Sequence, residues 1–81
     1  MNDSEILHRI TALVDEEHHL MQQSEEEGGL SDEERTRMHE LQLQLDQCWD
    51  LLRQRRARRE FGLNPNEAQV RDPNIVEHYQ Q

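Results

Sequence analysis

One pair of glycines, Gly28-Gly29, breaks two stretches of helical periodicity, and that break dictates what the chain folds into. Before it, Ile6, Ile10, Leu13 and Leu20 step by four, three and seven, and Leu7, Val14 and Met21 form a flanking column with a seven-residue step. That period is helical, with a stripe wider than a simple coiled-coil seam. It predicts a helix over about 3–26, capped by Ser4 or Asp3 and favoured by its early acids. After the break, Ser31 reads as an N-cap, with Glu34 three residues on as its capping-box partner. Met38, Leu41, Leu45, Cys48 and Leu52 then share one seam over a helix of about 32–61, with Trp49 and Leu51 flanking it on either side. Gly62 stands where a left-handed cap is wanted.

A loop this short forces two helices of similar length to lie antiparallel and adjacent. Folding about the glycines sets Leu20 near Met38, Leu13 near Leu45, Ile10 near Cys48 and Ile6 near Leu52. Asp3 and Glu5 then lie beside Arg55 and Arg56. The expected architecture is all-α: an antiparallel two-helix hairpin over 1–62 and a C-terminal tail over 63–81. In the tail, Asn64-Pro65 and Asp72-Pro73 each resemble an N-cap followed by Pro at the first helical position, predicting a turn near 65–69 and a short helix near 73–79. Phe61, Leu63, Val70, Ile75, Val76 and Tyr79 give the tail something to bury, on its own hairpin or on a second copy.

Two helices bury only the seam between them. Leu7, Val14, Met21, Trp49 and Leu51 are left partly wet, and each is worth ~1.5–3 kcal/mol if fully buried. With 81 residues, 32% of them hydrophobic, the chain is near the lower limit for a self-sufficient core. A symmetric dimer closing into a four-helix bundle is the simpler solution and is favoured over a monomer stapled by its own tail. The expected partner is therefore the chain itself, as a homodimer, or an unidentified protein.

The formal charge is −9, and every basic residue but His is Arg. Residues 1–50 hold three Arg against fourteen Asp and Glu, whereas 51–60 hold five Arg against one Glu. Such an acidic body argues against nucleic-acid binding. Cys48 is the lone cysteine, which excludes a disulfide-stapled scaffold. The acidic start does not resemble a signal peptide, and no segment has the ~18 consecutive apolar residues of a membrane span. A cytoplasmic location, with no membrane, is expected by elimination.

Arg53, Arg55, Arg56, Arg58 and Arg59 crowd the end of the second helix, where cations suit the negative end of the helix dipole. Their functional reading is a phosphate-binding cluster, although no aromatic residue is interleaved for base stacking. In Asp15-Glu16-Glu17-His18-His19, the Glu16/His19 and Asp15/His18 spacings imitate those of di-iron bundles. The phase turns both histidines outward and only Glu17 inward, so no metal site and no cofactor are expected. Glu17, a carboxylate on the seam, needs a partner, and Arg37 is the nearest cation in this register. Glu25, Glu26, Glu27, Asp32, Glu33 and Glu34 crowd the hinge, as a solvated tip or a docking point for a basic partner or divalent cation. Cys48 is expected to pack in the seam with no inward His beside it, and neither a phosphate loop nor a nucleophile elbow occurs. An enzyme is not expected.

The block Leu45-Asp46-Gln47-Cys48-Trp49-Asp50-Leu51-Leu52-Arg53-Gln54-Arg55-Arg56-Ala57-Arg58-Arg59-Glu60-Phe61-Gly62 resembles the signature of a family of short, mostly actinobacterial proteins known as a domain of unknown function. Val14-Asp15-Glu16-Glu17-His18, Leu30-Ser31, Glu34-Arg35, Pro65, Glu67-Ala68, Val70-Arg71 and Val76-Glu77 with Tyr79 extend the resemblance over nearly the whole chain. It implies no activity and assigns no catalytic residue. In shape alone, the hairpin with its Arg-rich second helix is also similar to small anti-sigma factors of the same bacteria. The leading expectation is a non-enzymatic interaction or adaptor module whose partner-binding residues are Trp49, Leu51, Arg53, Arg55, Arg56, Arg58 and Arg59. The alternatives are a regulator binding a nucleotide or transcription factor through the Arg end, and a metal-binding bundle using Glu16, Glu17 and His19.

Overall fold

The first helix starts at the expected residue, but its cap lies one residue before the expected caps. In a computed structural model, which describes residues 1–74, α1 runs Asp3–Glu27 and α2 runs Asp32–Glu60. Asn2, rather than Asp3 or Ser4, caps α1: its side chain accepts from the Glu5 N–H at 2.8 Å, and the Glu5 carboxylate accepts from the Asn2 N–H at 3.3 Å. Asn2 prevails because it has a Glu three residues on, which completes a reciprocal box. Asp3, relieved of capping, turns its carboxylate to the Arg end of α2.

α1 ends at Gly28 in the left-handed region (φ 81°), and the N–H groups of Gly28 and Gly29 both donate to Ser24 O. Ser31 and Glu34 open α2 with the expected box. α2 ends in a Schellman arrangement: Gly62 takes φ 71°, its N–H donates to Arg59 O at 3.2 Å, and the Leu63 N–H donates to Arg58 O at 2.7 Å.

The helices pair as an antiparallel hairpin around Ile6, Ile10, Leu13, Leu41, Cys48 and Leu51, with Val14, Leu20, Leu45, Leu52 and Ala68 packed against that core. Leu51 departs from expectation. Instead of flanking a wet seam it is buried, because the chain beyond α2 folds back over that side of the helix. Val14 is likewise half-buried against the core.

The returning segment forms a 3₁₀ turn at Pro65–Glu67, capped by Asn64, and packs on α2. Polar bonds hold it. Gln54 Nε2 donates to Gln69 O at 2.8 Å, and Gln47 Nε2 donates to Arg71 O at 3.1 Å. Phe61, Leu63 and Val70, expected to help bury the tail, remain more than half exposed, and among the described residues of the tail only Ala68 packs on the core cluster. The helix expected near 73–79 falls mainly on residues 75–81, outside the described residues. Among the described residues, no helix is long and apolar enough to cross a membrane.

The hairpin consequently has two unlike faces. On one, Arg9 reaches Gln44, Arg37 binds Glu16, and the tail lies across α2. On the other lie the rows Leu7–Val14–Met21 on α1 and Met38–Leu45–Leu52 on α2, with Trp49 beside them. Each row repeats every seven residues, about two helical turns, and so stays on one side of its helix.

Candidate interaction face

The Arg end of α2 is largely committed within the chain. Arg55 is buried: its Nε donates to Asp3 Oδ1 at 2.5 Å, and its Nη1 donates to Pro65 O at 3.0 Å and Asn66 Oδ1 at 3.1 Å. One guanidinium thus ties together the start of α1, the end of α2 and the 3₁₀ turn. Arg59 holds the other Asp3 oxygen at 2.8 Å, and Arg58 reaches Glu67 at 3.5 Å. Only Arg53 and Arg56 of the five are exposed and without a salt bridge among the described residues. The charge run read as one cluster is therefore divided between a clasp and two outward cations.

Arg37 pairs with Glu16, not with Glu17. Its Nε and Nη2 donate to the two Glu16 oxygens at 2.5 and 2.8 Å, and its Nη1 donates to Glu40 at 3.2 Å. The correction follows from helical phase: Glu16 lies on the flank that Arg37 occupies, and Glu17 lies about 100° away around α1. Glu17 instead lines an open groove near the hinge with Met21, Ser24, Glu25, Leu30, Met38 and Gln42. His18 and His19 are exposed, as their phase implies. Among the described residues, no group of three or more His, Cys, Asp or Glu side chains is placed to hold a metal ion.

Asp50 was not singled out from sequence, yet it is fully buried. Arg71 binds it bidentately, through Nε to Oδ2 at 2.9 Å and Nη2 to Oδ1, and Gln54 Nε2 adds 2.9 Å to Oδ2. This latch holds the tail. Its sequence signal was weak: Asp50 is off the seam, and its partner lies 21 residues away on an irregular segment.

Asp3, Glu16 and Asp50 are all held below the usual carboxylate range, by Arg59 with Arg55, by Arg37, and by Arg71 with Gln54 respectively. A carboxyl whose pKa is lowered on folding adds stability that is complete above its unfolded value, 3.8 for Asp and 4.5 for Glu, and is lost as pH falls through the folded value. These groups should therefore leave stability level from pH 7 to about 5 and reduce it steadily below about 4. Thermal melts followed by circular dichroism across that range check the sign; a protein equally stable at pH 3 would contradict the ion-pair assignments.

Cys48 borders an open pocket of about 200 Å³ lined also by Met1, Ile6, Arg9, Gln44, Gln47, Leu51 and Val70. Burial pushes its thiol up, against an opposing pull from Arg9. A buried, protonated thiol behaves as a small packing group.

The open face presents different chemistry. Leu7, Met21 and Trp49 are 47%, 54% and 45% exposed above the half-buried Val14, Met38, Leu45 and Leu52. Of the two aliphatic–aromatic flanks expected on α2, Trp49 alone is available at the surface.

A family model described as a protein of unknown function, DUF2630, matches residues 2–81. Similar proteins include an uncharacterized protein of Mycobacterium bovis and uncharacterized proteins of two Mycobacterium tuberculosis strains. Each is 48% identical over 77 residues, spanning 95% of this chain and 88% of the relative. No solved structure matches the chain.

Proposed function

The chain belongs to the DUF2630 family of proteins of unknown function, and we propose that it is a non-enzymatic protein-interaction module that docks through its open apolar face. The reading is carried by one observation: the tail covers one side of the hairpin, while Leu7, Met21 and Trp49 stay exposed together on the other. Contiguous apolar surface of this kind, with a large aromatic in it, is the usual character of an interaction site. Several residues with chemical potential are occupied structurally, which supports a role without catalysis. Cys48 is buried, and Asp3, Glu16 and Asp50 serve as ion-pair partners.

Binding of an anionic ligand at the Arg end is the weaker alternative, because Arg55, Arg58 and Arg59 are engaged and Arg53 and Arg56 alone are offered. A photoreactive phenylalanine analogue at Trp49, compared with one at Asp15 on the outer side of α1, tests the proposal in living cells. Irradiation is expected to give discrete covalent adducts from position 49 and none from position 15. Adducts from position 15 alone, or from neither, would overturn it.

A further inference from the structure

We infer that the open face is covered by a second copy of this chain, laid antiparallel across it so that the acidic hinge of each protomer meets the Arg end of its partner. The inference rests on the reading of that face as a docking surface and names its occupant.

Layering is the first reason. The molecule measures 51 × 25 × 16 Å, and its short dimension is little more than one helix with its side chains, about 10–12 Å. A stable domain needs two packed layers around a core. The tail supplies part of a second layer on one side, and the other side has none. A hairpin about 40 Å long and about 20 Å wide presents roughly 800 Å² per face, the area each partner brings to a standard interface.

The spacing of the face fits a two-fold axis. Leu7 and Met21 stand seven residues to either side of Val14, and Met38 and Leu52 stand seven to either side of Leu45. Val14 and Leu45 both pack on the same core cluster, and the hairpin register that pairs Asp3 with Arg55 brings them to about the same level. An axis crossing the helices there places Leu7 of each protomer beside Met21 of the other, and Val14 beside its own symmetry mate.

Charge selects this axis over the alternative. Face-to-face hairpins can be related by a two-fold along the helices or by one across them. The first stacks Glu25, Glu26, Glu27, Asp32, Glu33 and Glu34 on their own copies, and Arg on Arg. The second sets the hinge acids against Arg53 and Arg56, the two of the five arginines at the end of α2 that are exposed with no salt bridge among the described residues. Like-charge juxtaposition costs several kcal/mol and opposite charges fix register.

Solution mass and cysteine pairing test the arrangement. Sedimentation at tens of micromolar is expected to give twice the chain mass of 9.8 kDa, and Trp49→Ala to weaken the dimer by about tenfold or more with helicity unchanged. Leu7→Cys and Met21→Cys chains, oxidised as a mixture, are expected to form a mixed covalent dimer. Leu7→Cys alone should not, because its two sulfurs stand about 20 Å apart along an antiparallel pair. Efficient linking of Leu7→Cys to itself, or a wild-type monomer at about 100 µM, would overturn the inference. If the purified chain is monomeric while position 49 yields adducts to other proteins in cells, the self-pairing fails and the docking face stands. If position 49 yields none, both fail.

Discussion

Leu41→Ala is expected to remove most of the protein's stability, lowering it by about 3–5 kcal/mol. Leu41 is fully buried in a core of six side chains, so its loss leaves a cavity that few neighbours can move to fill. Chains of this length have a total stability on the order of 4–12 kcal/mol, and a thin core places this one toward the low end. Leu43→Ala, on the same helix but half-buried and outside the core cluster, should cost about 1 kcal/mol or less. Urea unfolding followed at 222 nm, at one fixed protein concentration, compares the two. A Leu41→Ala loss no larger than that of Leu43→Ala would show that the hairpin core is wrongly placed. Concentration has to be held constant because self-association adds to apparent stability by mass action.

The hairpin was legible because periodicity, caps and turn chemistry all pointed to the same fold. Ser31 with Glu34, the double glycine and Gly62 bracket the helices, and the apolar register that pairs Leu13 with Leu45 also brings Asp3 to Arg55. Each of these signals is local or repeats along a helix, so it survives translation into sequence. The Asn2 cap was equally local, and applying the capping-box rule one residue earlier would have found it.

Less legible were the features set by the irregular chain beyond Gly62. Leu51 looked like a flanking residue because the seam was drawn for two helices alone; the returning tail turns that flank into interior. Arg55 looked like one member of an exposed cluster, although its donors are divided among Asp3, Pro65 and Asn66, and the latter two lie on a turn whose path periodicity does not encode. The choice of Glu16 over Glu17 turned on a single residue of helical phase. Long side chains such as Arg37 reach around a helix flank, so nearest-cation reasoning in one register selects among neighbours poorly.

Arg71→Ala tests the tail most directly, because it leaves Asp50 buried without its main partner. Were the fold to stay closed, an uncompensated carboxylate would cost about 3–5 kcal/mol. A cheaper route exists. Releasing the tail lets water reach Asp50, and the cost is then limited to what tail docking contributes, about 2 kcal/mol for the latch with its supporting hydrogen bonds. The chain is expected to take that route. In Arg71→Ala, amide exchange should accelerate across 63–71 while α1 and the middle of α2 stay protected. Asp50→Asn retains the shape and an acceptor for Gln54 while losing the charge, and should release the tail only partly. Replacing both partners with leucine should recover stability relative to Arg71→Ala, because no buried charge is left unpaired. Unchanged tail exchange in Arg71→Ala would assign the docking to the Gln47 and Gln54 hydrogen bonds instead. Since the tail and the open face lie on opposite sides of the hairpin, Arg71→Ala should also leave Trp49-dependent association intact, so the latch and the docking face separate in one experiment.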